Sequence, residues 1–419
     1  MDARGTIDAV WRIESAKVIA ALTRITRDVG AAEELAQDAL LAALEQWPRE
    51  GVPDNPGAWL TAVAKNRAFE TMRRGQLLDR KHEEVGQLLR DKQDAQPLLD
   101  TRLDEDVGDD LLRLMLIACH PVLSTEARVA LTLRLLGGLT TEEIARAFLV
   151  PEPTIAQRIV RAKKTLADAK AEFEVPRGEA LAARLSPVLE AIYLVFNEGY
   201  AATAGDDWMR PQLCEDAMRL GRVLTSLLPQ EPEVRGLVAL MELQASRIPA
   251  RTGPNGEPVL LLEQKRVNWD HTLIRHGLAE LEKAEQLSPS PQRGSYTLQA
   301  ALAACHARAR TAEDTDWKRI AGLYDLLGAM TRSPVVELNR AVAHGMAFGP
   351  EAGLALVDAI EDPQMQRYHL FFSVRADLLI KLKRSAEAKV ELERALELTH
   401  NAREQTLLRE RIDKLEGDR

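Results

Sequence analysis

The residues best suited to chemistry form a compact basic segment in an otherwise acidic chain. Arg158, Arg161, Lys163 and Lys164 lie close together in a 419-residue protein whose formal net charge is -9. Guanidinium and ammonium groups bind phosphate oxygens, and arginine can also read a guanine edge with two hydrogen bonds. Because the net charge is negative, we expect any contact with nucleic acid to be confined to local basic patches.

An α-helical winding of residues 154–166 separates this segment into an apolar and a polar face. The apolar stripe contains Ile155, Ile159, Ala162 and Leu166. Upstream, Thr140 and Glu143 have the spacing of a capping box that begins a preceding helix. Two short helices joined by a turn predict a helix-turn-helix, although a merely solvated charged helix is the alternative. The predicted DNA-contacting residues are Thr154, Gln157, Arg158, Arg161 and Lys164.

A second basic segment, PGAWLTAVAKNRAFETMRR, spans residues 56–74 and follows an amphipathic helix at 31–47. A second DNA-facing unit is therefore predicted. Trp59 by itself is more typical of a core position than of a platform for base stacking. The candidate DNA-contacting residues of this segment are Trp59, Lys65, Asn66, Arg67, Arg73 and Arg74.

Several classes of function are disfavoured by the sequence. Cys119, Cys214 and Cys305 are widely spaced and have no ligand pair nearby, so buried thiols are predicted and no metal site is expected. No nucleophile and base occur at a recognisable spacing, so we expect no enzyme activity and no cofactor. The absence of a long apolar run or a secretory pattern at the N-terminus predicts a cytoplasmic protein that does not associate with membranes.

Apolar residues recur at three- and four-residue spacing from end to end, which predicts an all-α protein. An acidic stretch at 91–110 suits a solvated linker, and Pro and Gly interrupt the helical pattern at 174–179. The predicted segments are 1–76, an acidic linker at 77–108, a helix-turn-helix block at 109–173 and a helical C-terminal domain at 174–419.

The C-terminal segment contains a weak internal repeat with the spacing of tetratricopeptide (TPR) helix pairs. The predicted pair is marked by Ala376, Leu379, Ala388, Leu392 and Ala395, and the preceding copy by Ala352, Leu356 and Ala359. Stacked helix pairs of this kind form binding surfaces and rarely catalyse reactions.

The segment FNEGY raises two alternatives for Asn197, Glu198, Gly199 and Tyr200. In the first, these residues line a ligand site or an interdomain site, because glycine permits close approach of backbones. In the second, they form a helix end in which Gly199 is the cap and Tyr200 packs back.

Together these segments resemble a bacterial RNA polymerase sigma factor of the extracytoplasmic-function (ECF) subfamily. AAEELAQDALLAAL is similar to the region 2 helix that docks on the polymerase, and AWLTAVAKNRAFETMRR is similar to the part that melts and reads the -10 promoter element. TTEEIARAFLVPEPTIAQRIVRAKKTL resembles the region 4 helix-turn-helix that reads the -35 element. The C-terminal segments IYLVFNEGYAAT, LQAALAACHARA, DTDWKRIAGLYDLL and SPVVELNRAVA resemble the TPR-like extension of one ECF subgroup.

The resemblance implies a protein that binds core RNA polymerase and promoter DNA and starts transcription, with the C-terminal domain modulating this activity. It further implies that Glu34, Gln37, Asp38 and Leu41 contact the polymerase. An unknown ligand or protein partner of the C-terminal domain is left open. One competing interpretation is a helix-turn-helix regulator with a TPR-like sensor that binds duplex operator without polymerase, and another is a repeat scaffold.

Overall fold

A computed structural model describes residues 3–84, 107–148, 150–201, 209–253, 259–289, 292–399 and 402–417. Within these ranges the chain forms eighteen α-helices and no β-strand, which confirms the predicted all-α class. The helices are α1 (Ala3–Thr26), α2 (Val29–Glu50), α3 (Pro56–Glu84), α4 (Val107–Ala118), α5 (Thr125–Leu131), α6 (Thr141–Phe148), α7 (Glu152–Asp168), α8 (Glu179–Tyr200), α9 (Pro211–Leu227), α10 (Pro232–Ala245), α11 (His271–Leu287), α12 (Ser295–Arg308), α13 (Trp317–Thr331), α14 (Pro334–Phe348), α15 (Pro350–Asp358), α16 (His369–Lys381), α17 (Ser385–Leu398) and α18 (Ala402–Gly417).

The chain divides into two compact units. The first contains Met1–Gly205 and Glu215–Leu227, and the second contains Asp206–Cys214 and Leu228–Arg419. Within the described part of the chain, no helix has the length and apolar character needed to span a bilayer.

The first three helices of unit 1 pack together around small side chains. α1 packs against α2, α3 and α4, and α2 also packs against α3. The buried face of α2 is rich in alanine, which allows the neighbouring helices to approach closely. Asp28 begins α2 by accepting a 2.9 Å hydrogen bond from the Ala31 amide. α3 continues beyond residue 76 to Glu84, and residues 85–106 of the predicted linker lie outside the described residues.

The loop before the helix-turn-helix contacts α1. α5 continues into a π-helical turn (Thr132–Leu136) that ends at Gly137. Gly138 has a φ of 71°, and a Cβ there would lie 3.1 Å from the Ser15 hydroxyl. Glycine is therefore required by its backbone conformation and by the close approach to α1.

The predicted capping box forms at the start of α6. The Glu143 amide donates to the Thr140 hydroxyl at 3.1 Å, and the Thr140 amide donates to the Glu143 carboxylate at 2.8 Å. α7 follows with Pro153 in its first turn, where a missing N–H is tolerated. The predicted helix pair is thus confirmed.

Unit 1 does not end at the Pro/Gly interruption predicted near residue 174. Residues 171–178 lack regular structure, but α8 then packs against α4 and α5. Arg128 on α5 forms a 3.1 Å ion pair with Glu190, and Arg184 donates to the Leu116 carbonyl at 3.0 Å. The first helix after the interruption therefore contributes to the same compact unit as the helix-turn-helix.

Unit 2 is built from packed helix pairs. α10 packs against α11 and α12, and the pairs α13–α14, α14–α15 and α16–α17 follow. The five positions predicted to mark the last pair lie within α16 and α17 and are inaccessible to solvent: Ala376, Leu379, Ala388, Leu392 and Ala395.

The preceding copy of the repeat was predicted in the wrong register. Ala359 follows the end of α15 and is exposed, whereas Gly353, Leu354 and Val357 are the buried positions of that helix. Gly353 lies against Gly345 of α14, so only a very small residue fits there. The TPR-like assignment stays a prediction.

Two smaller predictions have clear outcomes. All three cysteines are free and buried, as predicted. Gly199 lies inside α8 and not at its cap, since the helix continues to Tyr200. Tyr200 does pack back, stacking on Phe196 with 5.7 Å between the ring centroids.

Candidate nucleic-acid interface

α7 separates into the two predicted faces. Its apolar stripe is buried in the helix-turn-helix core. The opposite face carries four of the predicted DNA-contacting residues in solvent-exposed positions: Thr154, Gln157, Arg161 and Lys164. These side chains supply hydrogen-bond donors and acceptors and two positive charges, which suits contact with base edges and phosphates.

Arg158 differs from the other predicted residues because it is only half-exposed. Together with Leu194 and Glu198 of α8, it lines a cavity of about 290 Å³ beside the helix-turn-helix. Apolar side chains such as Ile144, Phe148 and Ile155 also line this cavity. Arg158 thus lies at the boundary between the DNA-facing surface and α8.

Lys163, the remaining cation of this segment, turns towards α2. Its ammonium group contacts the carboxylate of Glu33, which is 4% exposed. Arg134 reaches the same carboxylate, with 2.6 Å between Nε and Oε1. Burial alone would raise the pKa of Glu33, but Lys163 and Arg134 together lower it below its ordinary value.

α3 presents a second polar face. Trp59, Asn66 and Arg73 recur every seven residues and therefore lie on one side of the helix. Asn66 and Arg73 are exposed, whereas Trp59 is half-buried, 5.4 Å edge-on from Trp47. Arg74 belongs to α3, but its side chain lies outside the described residues.

Two of the predicted basic residues of α3 already have acidic neighbours. Arg67 forms a 3.4 Å ion pair with Asp38 of α2. Partial burial and the nearby charge of Arg24 lower the pKa of Lys65, while Asp110 opposes this shift. Both side chains are half-buried, so Asn66 and Arg73 are the more accessible residues of this face.

The residues predicted to contact the polymerase lie along α2. Glu34 and Asp38 are exposed, and the Leu41 side chain is 56% exposed despite being apolar. Gln37 is half-buried and donates a 2.7 Å hydrogen bond to Glu33. The outer face of α2 is therefore acidic with an apolar centre, whereas Glu33 and Gln37 face inward.

The FNEGY segment forms the last turn of α8. The Asn197 carbonyl accepts the hydrogen bond that ends the helix, from the Ala201 amide at 2.8 Å. Glu198 is buried and lines the cavity beside Arg158, while Gly199 and Tyr200 serve packing. Glu198 thus lines the same cavity as Arg158, one of the predicted DNA-contacting residues.

Sequence reasoning missed two features of this surface. Phe69 is 48% exposed, one turn after Asn66, where an aromatic ring can stack on a base. The signal available in the sequence was an aromatic residue three positions after Asn66 in a basic segment. The contact between Lys163 and Glu33 had no signal, because it joins residues far apart in the sequence. Among the described residues, no group of three or more His, Cys, Asp or Glu side chains is placed to hold a metal ion.

Comparison with known families places two sigma regions on this interface. Residues 12–77, which include α2 and most of the polar face of α3, match Sigma-70 region 2. Residues 113–166, which include the helix-turn-helix, match Sigma-70, region 4. Residues 184–285 match a family of unknown function, DUF6596. No solved structure matches the chain.

The two matched regions, which include the exposed polar faces of α3 and α7, support a sigma factor role in promoter recognition. The matches to regions 2 and 4 support a sigma factor of the sigma-70 family. The chain is 41% identical over 415 residues to an uncharacterized protein of Rhizobium meliloti (strain 1021), and the match covers 99% of this chain and 97% of that relative. Regions 2 and 4 imply core RNA polymerase and promoter DNA as partners.

Proposed function

We propose that this chain is an alternative sigma factor of the ECF subfamily. It binds core RNA polymerase through the outer face of α2, reads the -35 element with α7 and melts the -10 element with α3. The observation that carries the proposal is the exposed polar face of α7 over a fully buried apolar stripe. The covalent chemistry belongs to the polymerase, so this chain needs no catalytic residue, and it works in the cytoplasm where the polymerase acts.

In the -35 complex, Gln157 and Arg161 contact base edges, and Lys164 and Arg158 hold phosphates. In the -10 complex, an unstacked base is captured near Asn66 while Arg73 and Arg74 bind the backbone. Phe69 adds an aromatic surface beside Asn66. The region matches support both assignments, because α3 and α7 occupy the corresponding parts of regions 2 and 4.

The C-terminal helical domain modulates the sigma regions. Support comes from α8, which packs on region 4 and brings Glu198 to the cavity that Arg158 lines. Glu215–Leu227 of α9 belong to the same unit, and Arg219 in this stretch donates a 3.4 Å hydrogen bond to the Gly137 carbonyl. The helices that directly follow region 4 therefore contact it within unit 1.

Promoter-directed transcription with purified core RNA polymerase tests the proposal. We expect the full chain to give specific transcripts, and an Arg161→Glu/Lys164→Glu variant to lose them, because both side chains are exposed and their reversal repels phosphate. An Arg275→Glu/Lys318→Glu variant changes the net charge equally at exposed positions of α11 and α13 and should retain the transcripts. Specific binding to duplex DNA without polymerase, and no transcript with it, would instead favour an ordinary operator-binding regulator.

A further inference from the structure

Unit 2 contains a group of cationic and aromatic side chains that lies outside the two sigma regions. Arg266, in the segment between α10 and α11, stacks its guanidinium group 4.6 Å from the centroid of the Trp269 ring. Its Nη1 donates to the His306 carbonyl near the end of α12, and its Nη2 donates to the Thr315 hydroxyl at 3.3 Å. The His306 ring packs edge-on against Trp317, with 5.4 Å between the ring centroids. We call Arg266, Trp269, His306 and Trp317 the Arg266 cluster.

Two positive charges act on this cluster. Burial, followed by the charges of Arg247 and Arg266, lowers the pKa of His306 to about 4. Burial and the charge of Arg247 also lower the pKa of Arg266, and Glu313 and Asp314 only partly oppose this shift. Both acids are exposed, so water screens their charges. Two like charges held close together and away from water are unfavourable unless an anion offsets them.

The cluster also contains buried hydrogen-bond donors that other side chains do not use. Nε of Arg266, Nε1 of Trp269 and Nδ1 of His306 are buried and make no hydrogen bond to any residue that the structure describes. Trp269 is only 3% exposed. A neutral imidazole can carry its proton on Nδ1 and donate from it. A buried donor without an acceptor destabilises a fold, so three in one cluster indicate an acceptor from outside the chain.

A cavity of about 550 Å³ adjoins the cluster. Cys305 and Asp314, which line it, directly precede His306 and Thr315 in the chain. A small molecule bound in this cavity therefore lies next to the cluster. The charged residues of the cavity wall are three arginines and two aspartates: Arg308, Arg310, Arg319, Asp314 and Asp316.

A purely structural role explains only part of the arrangement. Arg266 binds a carbonyl in the last turn of α12, where a cation is favourable. This contact uses Nη1 alone and leaves Nε without an acceptor. It also involves neither the indole N–H of Trp269 nor the imidazole of His306. Capping of α12 therefore does not account for the other donors or for the second arginine nearby.

We propose that the Arg266 cluster binds the carboxylate or phosphate group of a small molecule whose body occupies the adjoining cavity. Nε of Arg266 and Nε1 of Trp269 donate to the oxyanion, and His306 supplies a further donor. Guanidinium groups suit such ligands because their rigid, planar array of donors matches carboxylate and phosphate oxygens. The C-terminal domain is thereby a receptor for a small anionic molecule, which goes beyond the proposed sigma function.

Titration of the full-length chain with inorganic phosphate and with succinate tests the site. The chain has six tryptophans, and the NMR signal of the Trp269 indole N–H is identified by its loss in Trp269→Phe. We expect this signal to shift saturably with at least one of the two anions, compared with sodium chloride at equal ionic strength. A response to one anion alone identifies the headgroup as phosphate or carboxylate. The absence of a saturable shift with both would overturn the proposal.

Two variants and a matched control locate the binding. Arg266→Gln should weaken binding of the effective anion about tenfold or more, because it removes a charged donor. Lys318→Gln removes an equal charge from an exposed position of α13 and should leave the affinity unchanged. Trp269→Phe keeps an aromatic ring but removes the indole N–H, so its affinity, measured by calorimetry, should also fall. It tests the site even if Arg266→Gln fails to fold, and wild-type affinity in the folded variants would overturn the assignment.

The binding experiment is independent of the transcription assay, because it needs neither polymerase nor DNA. If the anion binds at the cluster but no form of the chain stimulates promoter-directed transcription, the sigma function fails and the anion site remains. If the chain drives transcription and neither anion shifts the Trp269 signal, the anion site alone fails.

Discussion

At the scale of single residues, Phe69 is the exposed aromatic side chain closest in sequence to Asn66. Stacking of a base on an aromatic ring contributes about 1–3 kcal/mol. We therefore expect Phe69→Ala to reduce promoter opening and Phe69→Trp to preserve it. Permanganate reactivity of unpaired thymines in the -10 element measures the effect directly.

Met72→Ala is the control for this variant, because Met72 is also exposed but lies on a different side of α3 from Asn66. Equal losses of opening in the Met72 and Phe69 variants would mean that general apolar exposure of α3 is responsible. The stacking role would then be wrong.

His306 gives a prediction about pH. Burial, with the charges of Arg247 and Arg266, lowers the pKa of His306 to about 4. In the unfolded chain the imidazole has its ordinary pKa of about 6.5, so the unfolded state binds a proton first as the pH falls. The stability of the fold is retained above pH 6.5 and decreases by about 2 kcal/mol between pH 7 and pH 5.

Urea unfolding of the wild-type chain and His306→Gln at pH 7 and pH 5 measures this effect. The variant should be less sensitive to pH than the wild type. An equal pH dependence in both proteins would show that another group controls it. Glu33 does not contribute in this range, because its pKa is lowered and its charge is lost only below its ordinary value of 4.5.

At the scale of elements, the capping box stabilises the N-terminus of α6. Thr140→Ala removes the hydroxyl that accepts a hydrogen bond from the Glu143 amide. Loss of such a cap destabilises a helix by about 1 kcal/mol. We expect faster hydrogen exchange in α6, with little change in α16 and α17 of the other unit. Thr141→Ala, one residue later, removes a hydroxyl without a capping role and should leave exchange in α6 nearly unchanged.

α8 connects the sigma regions to the C-terminal segment, and its removal should expose the apolar residues that it covers. The buried face of α8 consists of its own residues Leu185, Val188, Leu189 and Ile192, and the helix packs against α4 and α5. A chain ending at residue 173 lacks this helix, whereas a chain ending at Leu227 keeps the helices of unit 1. We expect the shorter fragment to melt at a lower temperature and to be cleaved faster by protease within α5. Equal stability of the two fragments would show that α8 is dispensable for region 4.

At the scale of the whole molecule, α3 and α7 lie in one compact unit of about 220 residues, which is about 45 Å across. Two promoter elements about 25 base pairs apart lie about 85 Å apart on straight duplex DNA, so we expect unit 1 to open if both are bound at once. Arg12→Cys and Glu143→Cys place thiols at either end of an ion pair between the regions. A cleavable bis-maleimide linker between them should abolish promoter-directed transcription, and cleavage of the linker should restore it. Full activity of the linked protein would contradict the need for opening. The same variant without linker controls for loss of the ion pair.

The sequence by itself determined the local features of this protein. The apolar stripe of α7, the capping box at Thr140 and the last helix pair of unit 2 each depend on residues within one or two helices, and spacing reports such contacts directly. The exposed face of α7 followed from the same periodicity. The register of α15 did not follow, because Gly353 is selected by its approach to Gly345 of another helix.

Only the tertiary structure decided which charges remain free. Lys163 and Lys164 are neighbours in the sequence, yet one is neutralised by Glu33 and the other faces solvent. The sequence likewise marked a boundary near residue 174, while packing continued the compact unit through α8. Such contacts join residues tens to more than a hundred positions apart, and local periodicity carries no information about which distant faces will meet.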